Sequence, residues 1–160
     1  MIDQTTGLNL VPHAVDTIKR ADSLLLKSRH VIDPVVKNTG VWLHKWALEA
    51  PDRVFLAERD GEGWRELSYA QVLKSVRGIA SSLAARGMGK DTPIVIMSGN
   101  SVDHALLSLG AQYAGVPTSP LAEQYSLIVE AHGRLIYVLD KIKPAMAFVD
   151  DAERYAAAIG

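Results

Sequence analysis

Residues 93–119 read PIVIMSGNSVDHALLSLGAQYAGVPTS, and this stretch decides the fold. It begins with an apolar run at 93–97, continues through polar residues and glycine, and then carries apolar side chains at helical spacing over 102–114. A strand buried on both faces is apolar throughout, and a helix of this length is long enough to cross back over a sheet. The stretch therefore predicts a strand, a helix and a second extended segment at 115–119, which together make one parallel strand–helix–strand unit.

The same alternation continues on both sides of this unit. Upstream, Ser68 can cap an amphipathic helix that Gly87 ends. Downstream, a helix is predicted over 132–143, a strand over 145–149, and an Ala-rich helix that opens at Asp151. The predicted fold class is α/β, with a partial parallel sheet that is Rossmann-like, doubly wound and flanked by helices.

The first part of the chain is less regular. Residues 41–50 favour a short helix, and 53–58 with 64–67 predict a β-hairpin around a Gly-bearing loop. We interpret residues 1–40 as an N-terminal arm, in which 15–19 and 24–27 suit another small hairpin. The predicted domain organisation is this arm followed by 41–160, the first and incomplete part of an α/β domain.

Composition excludes several classes of function. Seventeen basic and eighteen acidic residues are interspersed and leave a net charge of −1, which gives no electrostatic footprint for nucleic acid. The apolar runs are far shorter than the roughly 18 residues of a membrane span, and no secretory signal is visible, so we expect a cytoplasmic protein. The chain has no cysteine, which excludes disulfides, thiolate metal sites and cysteine nucleophiles.

Known catalytic motifs are also missing. Neither the phosphate loop G-x-x-x-x-G-K-[ST] nor G-x-G-x-x-G is present, and Gly87 with Gly89 is interpreted as a helix stop. Ser98 follows a predicted strand as a nucleophile elbow does, but Ile96 and Asn100 replace the glycines of G-x-S-x-G. The histidines show no metal-ligand spacing, which favours surface or core roles for all five: His13, His30, His44, His104 and His132. We therefore predict no catalytic residue and no metal ligand on this chain.

Position in the sheet suggests where a ligand would lie. Ligands of open parallel sheets bind beyond the carboxyl ends of the strands, and two such ends are 98–101 and Thr118-Ser119-Pro120. The first is equally consistent with a turn and a helix cap by Asn100 or Ser101, and the second with a polar turn.

A resemblance to a known family rests on phrases in a fixed order. The phrases are Trp46-Ala47, Ala50-Pro51-Asp52-Arg53-Val54, Trp64-Arg65-Glu66-Leu67-Ser68-Tyr69, Gly87 and Asp91 before an apolar strand ending near Asn100, and Ala114-Gly115-Val116-Pro117. Together they resemble the amino-terminal region of the adenylate-forming superfamily of AMP-binding acyl-CoA synthetases. Within it, the chain is most similar to feruloyl-CoA synthetases, judged from Leu24-Leu25-Leu26-Lys27-Ser28, Phe55-Leu56-Ala57-Glu58-Arg59, Ser119-Pro120 and Lys143-Pro144-Ala145-Met146-Ala147-Phe148-Val149.

The resemblance implies an ATP-dependent carboxylic acid–CoA ligase as the parent protein. Such enzymes use ATP, Mg²⁺ and CoA to convert an aromatic or fatty carboxylate into an acyl adenylate and then into an acyl-CoA. Their phosphate loop and catalytic lysine follow the region that this chain resembles, so we expect the remainder of a ligase chain as partner and no activity of this chain alone. The resemblance also implies that Thr118, Ser119 and Pro120 lie near the groove for the CoA nucleotide. The alternative is a stand-alone, non-catalytic α/β binding or interaction module.

Overall fold

The computed structural model describes residues 12–32 and 34–160, so residues 1–11 of the predicted arm and Asp33 lie outside the described part. The chain divides into two compact units, Met1–Val35 and Val36–Gly160. The first contains the antiparallel strands β1 (Val15–Lys19) and β2 (Leu24–Ser28), which confirms the hairpin predicted there. In this hairpin Arg29 pairs with Asp16 at 2.6 Å.

The second unit begins with helix α1 (Gly40–Glu49) and the hairpin of β3 (Val54–Asp60) and β4 (Gly63–Ser68). Helix α2 (Tyr69–Ala85) follows directly, and it begins with a capping box. In it the Ser68 hydroxyl accepts from the Gln71 amide, and the Gln71 side chain accepts from the Ser68 amide at 2.8 Å. These two bonds satisfy backbone donors that a helix start otherwise leaves free, which explains why α2 starts where the sequence predicts.

A three-stranded parallel sheet forms the centre of this unit. Its strands are β5 (Ile94–Met97), β6 (Thr118–Pro120) and β7 (Met146–Val149), in the spatial order β6-β5-β7. Helix α3 (Val102–Ala114) connects β5 to β6, and α5 (His132–Ile142) lies between β6 and β7. The predicted parallel α/β sheet is therefore confirmed.

Two apolar clusters cover the two faces of the sheet. Ile94 and Ile96 pack on one face with residues of α2 and α3, among them Leu83 and Leu107. Val95 and Met97 point to the other face, where they pack with Leu135 of α5 and with Tyr155. All four residues of β5 are buried because both faces are covered, as the uninterrupted apolar run predicts.

Three segments show more than the sequence-based expectation. For 118–120 the sequence allowed an extended segment or a polar turn, and the structure confirms the former as the edge strand β6, whose backbone pairs with 94–96. Residues 121–131, which carried no prediction, form a short helix α4 (Gln124–Leu127) and a 3₁₀ turn at Val129–Ala131. The last helix, α6 (Ala156–Ile159), does not open at Asp151, because the Asp151 carboxylate holds a turn by accepting from the amides of Glu153 and Arg154. No helix in the described part of the chain is long and apolar enough to cross a membrane.

Candidate functional site

The order of the strands places a crevice at the carboxyl ends of β5 and β6. The chain leaves β5 towards α3, on one face of the sheet, and leaves β6 towards α5, on the other face. Neighbouring strands whose connections diverge in this way leave an opening between their carboxyl ends, where ligands of open α/β sheets bind. We call the polar residues gathered here the carboxyl-edge site: Ser98, Gly99, His104, Glu123, Arg154 and Tyr155.

Ser98 and His104 meet at the end of β5. Ser98 is 5% exposed, and its hydroxyl lies 3.0 Å from Nδ1 of His104 and donates to the carbonyl oxygen of Gly99 at 3.1 Å. Nδ1 of His104 is also 3.1 Å from that carbonyl oxygen. A carbonyl oxygen only accepts, so these contacts are satisfied together when Nδ1 carries its proton and the Ser98 hydroxyl donates to Gly99. Such a hydroxyl is held in the loop and is not activated for attack.

Gly99 brings the end of β6 close to the end of β5. A Cβ atom at position 99 would lie only 3.3 to 3.4 Å from the carboxylate of Glu123. The missing side chain therefore lets Glu123, which follows β6, approach the backbone that follows β5. The sequence suggested Gly99 only as part of a turn, and the structure adds that its lack of a side chain makes room for Glu123.

Glu123 is held by two donors from the segment after β7. Oε1 accepts from the hydroxyl of Tyr155 at 2.9 Å and pairs with Arg154 at 2.7 Å. Tyr155 is completely buried, and burial together with the bond to Glu123 raises its pKa to about 12. The phenol therefore stays protonated at neutral pH and remains a donor. The segments after β6 and β7 thus form one hydrogen-bonded cluster, and Gly99 brings the end of β5 close to it.

A second polar network fixes the start of α3, next to the crevice. The Glu58 carboxylate of β3 accepts from the backbone amide of Val102 at 2.6 Å and pairs with Arg65 at 2.8 Å. Arg65 also pairs with Asp103 at 2.8 Å, and this hydrogen-bonded contact lowers the pKa of Asp103. Negative charge at a helix amino terminus is favourable, and Ser101 adds the side-chain cap by accepting from the amide of His104 at 3.0 Å.

The structure separates the residues that were predicted near a ligand groove. Thr118 and Ser119 are half-buried within β6, and Pro120 is exposed at its end, so the crevice begins after them, at Leu121 to Glu123. The loop 98–101 lies at the crevice, and Ser101 caps α3, which confirms the helix-cap interpretation. Ligand binding by that loop stays a prediction.

Three further histidines in the described part of the chain have separate partners. His30 contacts the Pro12 carbonyl oxygen, His44 the Tyr113 hydroxyl, and His132 the Ser126 carbonyl oxygen, at 2.9, 2.9 and 3.0 Å. Within residues 12–32 and 34–160, no three His, Asp or Glu side chains lie close enough together to hold a metal ion.

Sequence reasoning missed Glu123, Arg154 and Tyr155. Glu123 lies about 30 positions before Arg154 and Tyr155 in the chain, and only the parallel sheet brings it to them. The one available signal was general, since polar residues that follow the strands of a parallel sheet share one edge. Chemically, the cluster offers a carboxylate with matched donors and a histidine with an oriented ring, which suits binding and orientation of a polar ligand.

Comparisons of the sequence with known proteins identify a family and a relative. The family described as AMP-binding enzyme matches residues 43–159. Over 56 residues the chain is 34% identical to a 4-chlorobenzoate–CoA ligase from Arthrobacter sp, which covers 35% of this chain and 11% of that ligase.

Two solved structures have a similar fold. The fatty acyl-adenylate ligase from L. pneumophila, in complex with acyl adenylate and pyrophosphate, superposes with a TM-score of 0.62 at 17% identity, covering 72% of this chain and 20% of that one. The N-terminal subdomain of NpsA from Klebsiella oxytoca, in complex with 3-hydroxyanthranilyl-AMSN, gives 0.62 at 17% identity, covering 75% and 28%. The chain thus spans only a small part of the length of each protein that it matches.

Proposed function

We propose that this chain, which belongs to the AMP-binding enzyme family, is the amino-terminal part of an ATP-dependent carboxylic acid–CoA ligase. The observation that carries the proposal is the family match over 43–159, which includes the parallel sheet and both sides of the carboxyl-edge crevice. The relatives support the reaction class, because one is a ligase that joins an aryl acid to CoA and another was solved with an acyl adenylate and pyrophosphate.

The residues present do not themselves fit a bound nucleotide triphosphate and its metal. The sequence contains no glycine-rich loop with a lysine that could surround the phosphates, and the described residues contain no cluster of three metal-ligand side chains. Adenylation needs backbone donors, a cation and a placed lysine around the developing charge. We therefore propose that ATP and Mg²⁺ are held by other parts of the ligase, and that this chain alone does not activate an acid.

For the substrate we propose an aromatic carboxylate, with ferulate as the first candidate. Support comes from the feruloyl-CoA synthetase phrases in the sequence and from the relative that is a 4-chlorobenzoate–CoA ligase. The NpsA subdomain of similar fold, solved with 3-hydroxyanthranilyl-AMSN, is consistent with an aromatic acid. The test is CoA thioester formation by the longest polypeptide that the gene encodes, with ferulate, 4-chlorobenzoate and a C12 fatty acid compared at equal concentration. Ferulate should give the highest kcat/KM. Preference for the fatty acid would overturn the substrate assignment and leave the ligase class intact.

For the CoA nucleotide we propose a position near Thr118, Ser119 and Pro120. Ser119 is half-buried in the edge strand β6, whose outer side has no paired strand in the described structure. A bulky Ser119→Tyr should therefore raise the KM for CoA while acid-dependent ATP–pyrophosphate exchange keeps its rate. Exposed Ser81 of α2, substituted in the same way, is the matched control. Equal loss in both half-reactions would mean that position 119 acts through folding and not through CoA.

A non-catalytic binding module is the second candidate. The observation that favours it is the set of hydrogen bonds that close the carboxyl-edge site within this chain, since Glu123 already has two donors. The two readings differ in their requirement for further chain. A module binds its ligand as 160 residues, whereas a ligase part shows adenylation only within a longer polypeptide.

A further inference from the structure

A separate cavity lies between α1, β3, α2 and α3, and shares no residue with the carboxyl-edge site. Its volume is about 370 Å³, and its walls are mainly aromatic, from Trp42, Trp46, Phe55 and Tyr69. The other lining residues are two leucines and Thr39. Small-molecule sites are concave, in this size range and above, and mostly apolar with a few polar groups.

An irregularity in the hairpin turns one of these aromatic rings into the cavity. The pairing of β3 with β4 shifts register between Val54 and Leu56, so Phe55 is the extra residue of a β-bulge. Bulges redirect side chains and recur beside functional sites. The Phe55 ring stacks on Tyr69, with centroids 4.5 Å apart and planes 8° from parallel, although Phe55 is still 38% exposed.

The two tryptophans come from one face of α1. Trp42 and Trp46 are four positions apart, so they lie one above the other on the helix. The Trp46 ring lies 6.1 Å from that of Tyr69, and Trp42 is 52% exposed. Large aromatic rings left this open to water, around a concave space, have unused stacking surface.

The charges around the cavity point to a neutral ligand. None of the residues that line it is charged. Lys45 lies 5.0 Å from the centroid of the Trp46 ring, but its ammonium is also 4.0 Å from the carboxylate of Glu49. The described residues that line the cavity therefore offer a carboxylate or phosphate no cation, and Glu49 offsets the charge of the nearby Lys45. An uncharged ring would gain apolar contact and stacking there. We propose that this cavity binds a neutral, planar aromatic compound.

The test uses tryptophan fluorescence of the 160-residue chain. The chain has three tryptophans, and Trp64, which is stacked under Arg59, is the one outside the cavity. In a Trp64→Phe background the signal therefore comes from the cavity alone. The probe is 4-nitroanisole, a neutral planar quencher, and its charged analogue 4-nitrobenzoate is the comparison. We expect saturable quenching by 4-nitroanisole and at least tenfold weaker apparent affinity for 4-nitrobenzoate. Linear quenching without saturation, or equal affinity for both compounds, would overturn the proposal.

Variants separate this site from general quenching. Phe55→Leu keeps an apolar side chain but removes the stacked ring, and should weaken the binding of 4-nitroanisole about fivefold. Tyr137→Leu, at an exposed ring on α5, is the matched control and should leave the affinity unchanged. Circular dichroism checks folding, and Trp42→Leu replaces Phe55→Leu if the latter does not fold. Affinity unchanged in the folded cavity variant would refute the site. Because 4-nitroanisole has no carboxylate to activate, this outcome is independent of the ligase proposal.

Discussion

Gly110 marks the closest approach of α3 to α2, and replacing it with alanine is predicted to separate two opposing effects. A Cβ atom there would lie 2.5 Å from Cγ2 and 2.7 Å from Cβ of Ile79. Both are atoms near the backbone of a β-branched side chain, whose rotamer in a helix is strongly restricted, so Ile79 cannot simply turn away. Gly110→Ala therefore forces the helices apart, in addition to its effect on the helix itself.

The magnitude follows from setting these effects against each other. Alanine is favoured over glycine inside a helix by about 1 kcal/mol. Overpacking a tight contact costs about 1–3 kcal/mol. Gly110→Ala should therefore lower the free energy of unfolding by roughly 0–2 kcal/mol. Gly78→Ala, in α2, is the matched control, because a Cβ there meets no atom within 4 Å. It should raise the free energy of unfolding by about 1 kcal/mol.

The assay is urea unfolding followed by far-ultraviolet circular dichroism and by tryptophan fluorescence, with coincident transitions as the condition for two-state treatment. Ile79→Ala in the Gly110→Ala background removes Cγ2, the nearer of the two clashing atoms, and leaves Cβ in place. The double variant should therefore be more stable than the sum of the single effects by about 1 kcal/mol. The reasoning is refuted if Gly110→Ala stabilises as much as Gly78→Ala, or if the two substitutions are additive.

Three further substitutions test single contacts. Ser68→Ala removes the capping box of α2 and should cost about 1 kcal/mol in urea unfolding. Arg65 lowers the pKa of Asp103 in the folded protein, so the ionised carboxylate stabilises the fold at pH values above the ordinary pKa of an aspartate. This stabilisation is lost as the pH falls through the lowered pKa. Asp103→Asn should therefore lose less thermal stability between pH 7 and pH 3 than the unsubstituted chain. Tyr155→Phe removes the donor to Glu123 and should cost roughly 0.5–1.5 kcal/mol at pH 7. In an alkaline absorbance titration, Tyr155→Phe should also remove the phenol whose pKa is raised to about 12. The stabilisation linked to this raised pKa is lost as the pH rises from about 10, the ordinary pKa of tyrosine, through the raised pKa.

Each of these has an exposed counterpart in the same chain. Ser81→Ala within α2, Asp140→Asn on α5 and Tyr137→Phe on α5 change the same side chains where the described structure shows no such contact. The cap is refuted if Ser81→Ala costs as much as Ser68→Ala. If Asp103→Asn and the unsubstituted chain lose equal stability in acid, the Arg65–Asp103 ion pair does not contribute to acid sensitivity. An unchanged high-pH phenol in Tyr155→Phe would show that another tyrosine titrates there.

Much of the fold could be predicted because local sequence and buried surface agree. The short apolar run at 94–97 favours a strand covered on both faces, and α2 carries its own start signal at Ser68. Where the local sequence allows two interpretations, a contact distant in sequence decides between them. Residues 118–120 are compatible with an extended segment or a polar turn, and pairing with β5 makes them a strand.

The sites were harder to predict, for the same reason. Glu123 and Tyr155 meet only because the sheet places the ends of β6 and β7 beside each other. The bulge at Phe55 depends on the register between two strands, which no local pattern fixes in this hairpin. Gly110 reads as an ordinary, slightly unfavourable helix residue until α2 is packed against it.

Acid-dependent ATP–pyrophosphate exchange tests the ligase assignment most directly, measured with ferulate for the 160-residue chain and for the longest polypeptide that its gene encodes. We predict exchange by the longer polypeptide and none above background by the 160 residues, because the sequence lacks a phosphate-binding loop. Exchange by the 160-residue chain alone, or no exchange by the longer polypeptide with any carboxylate, would contradict the account.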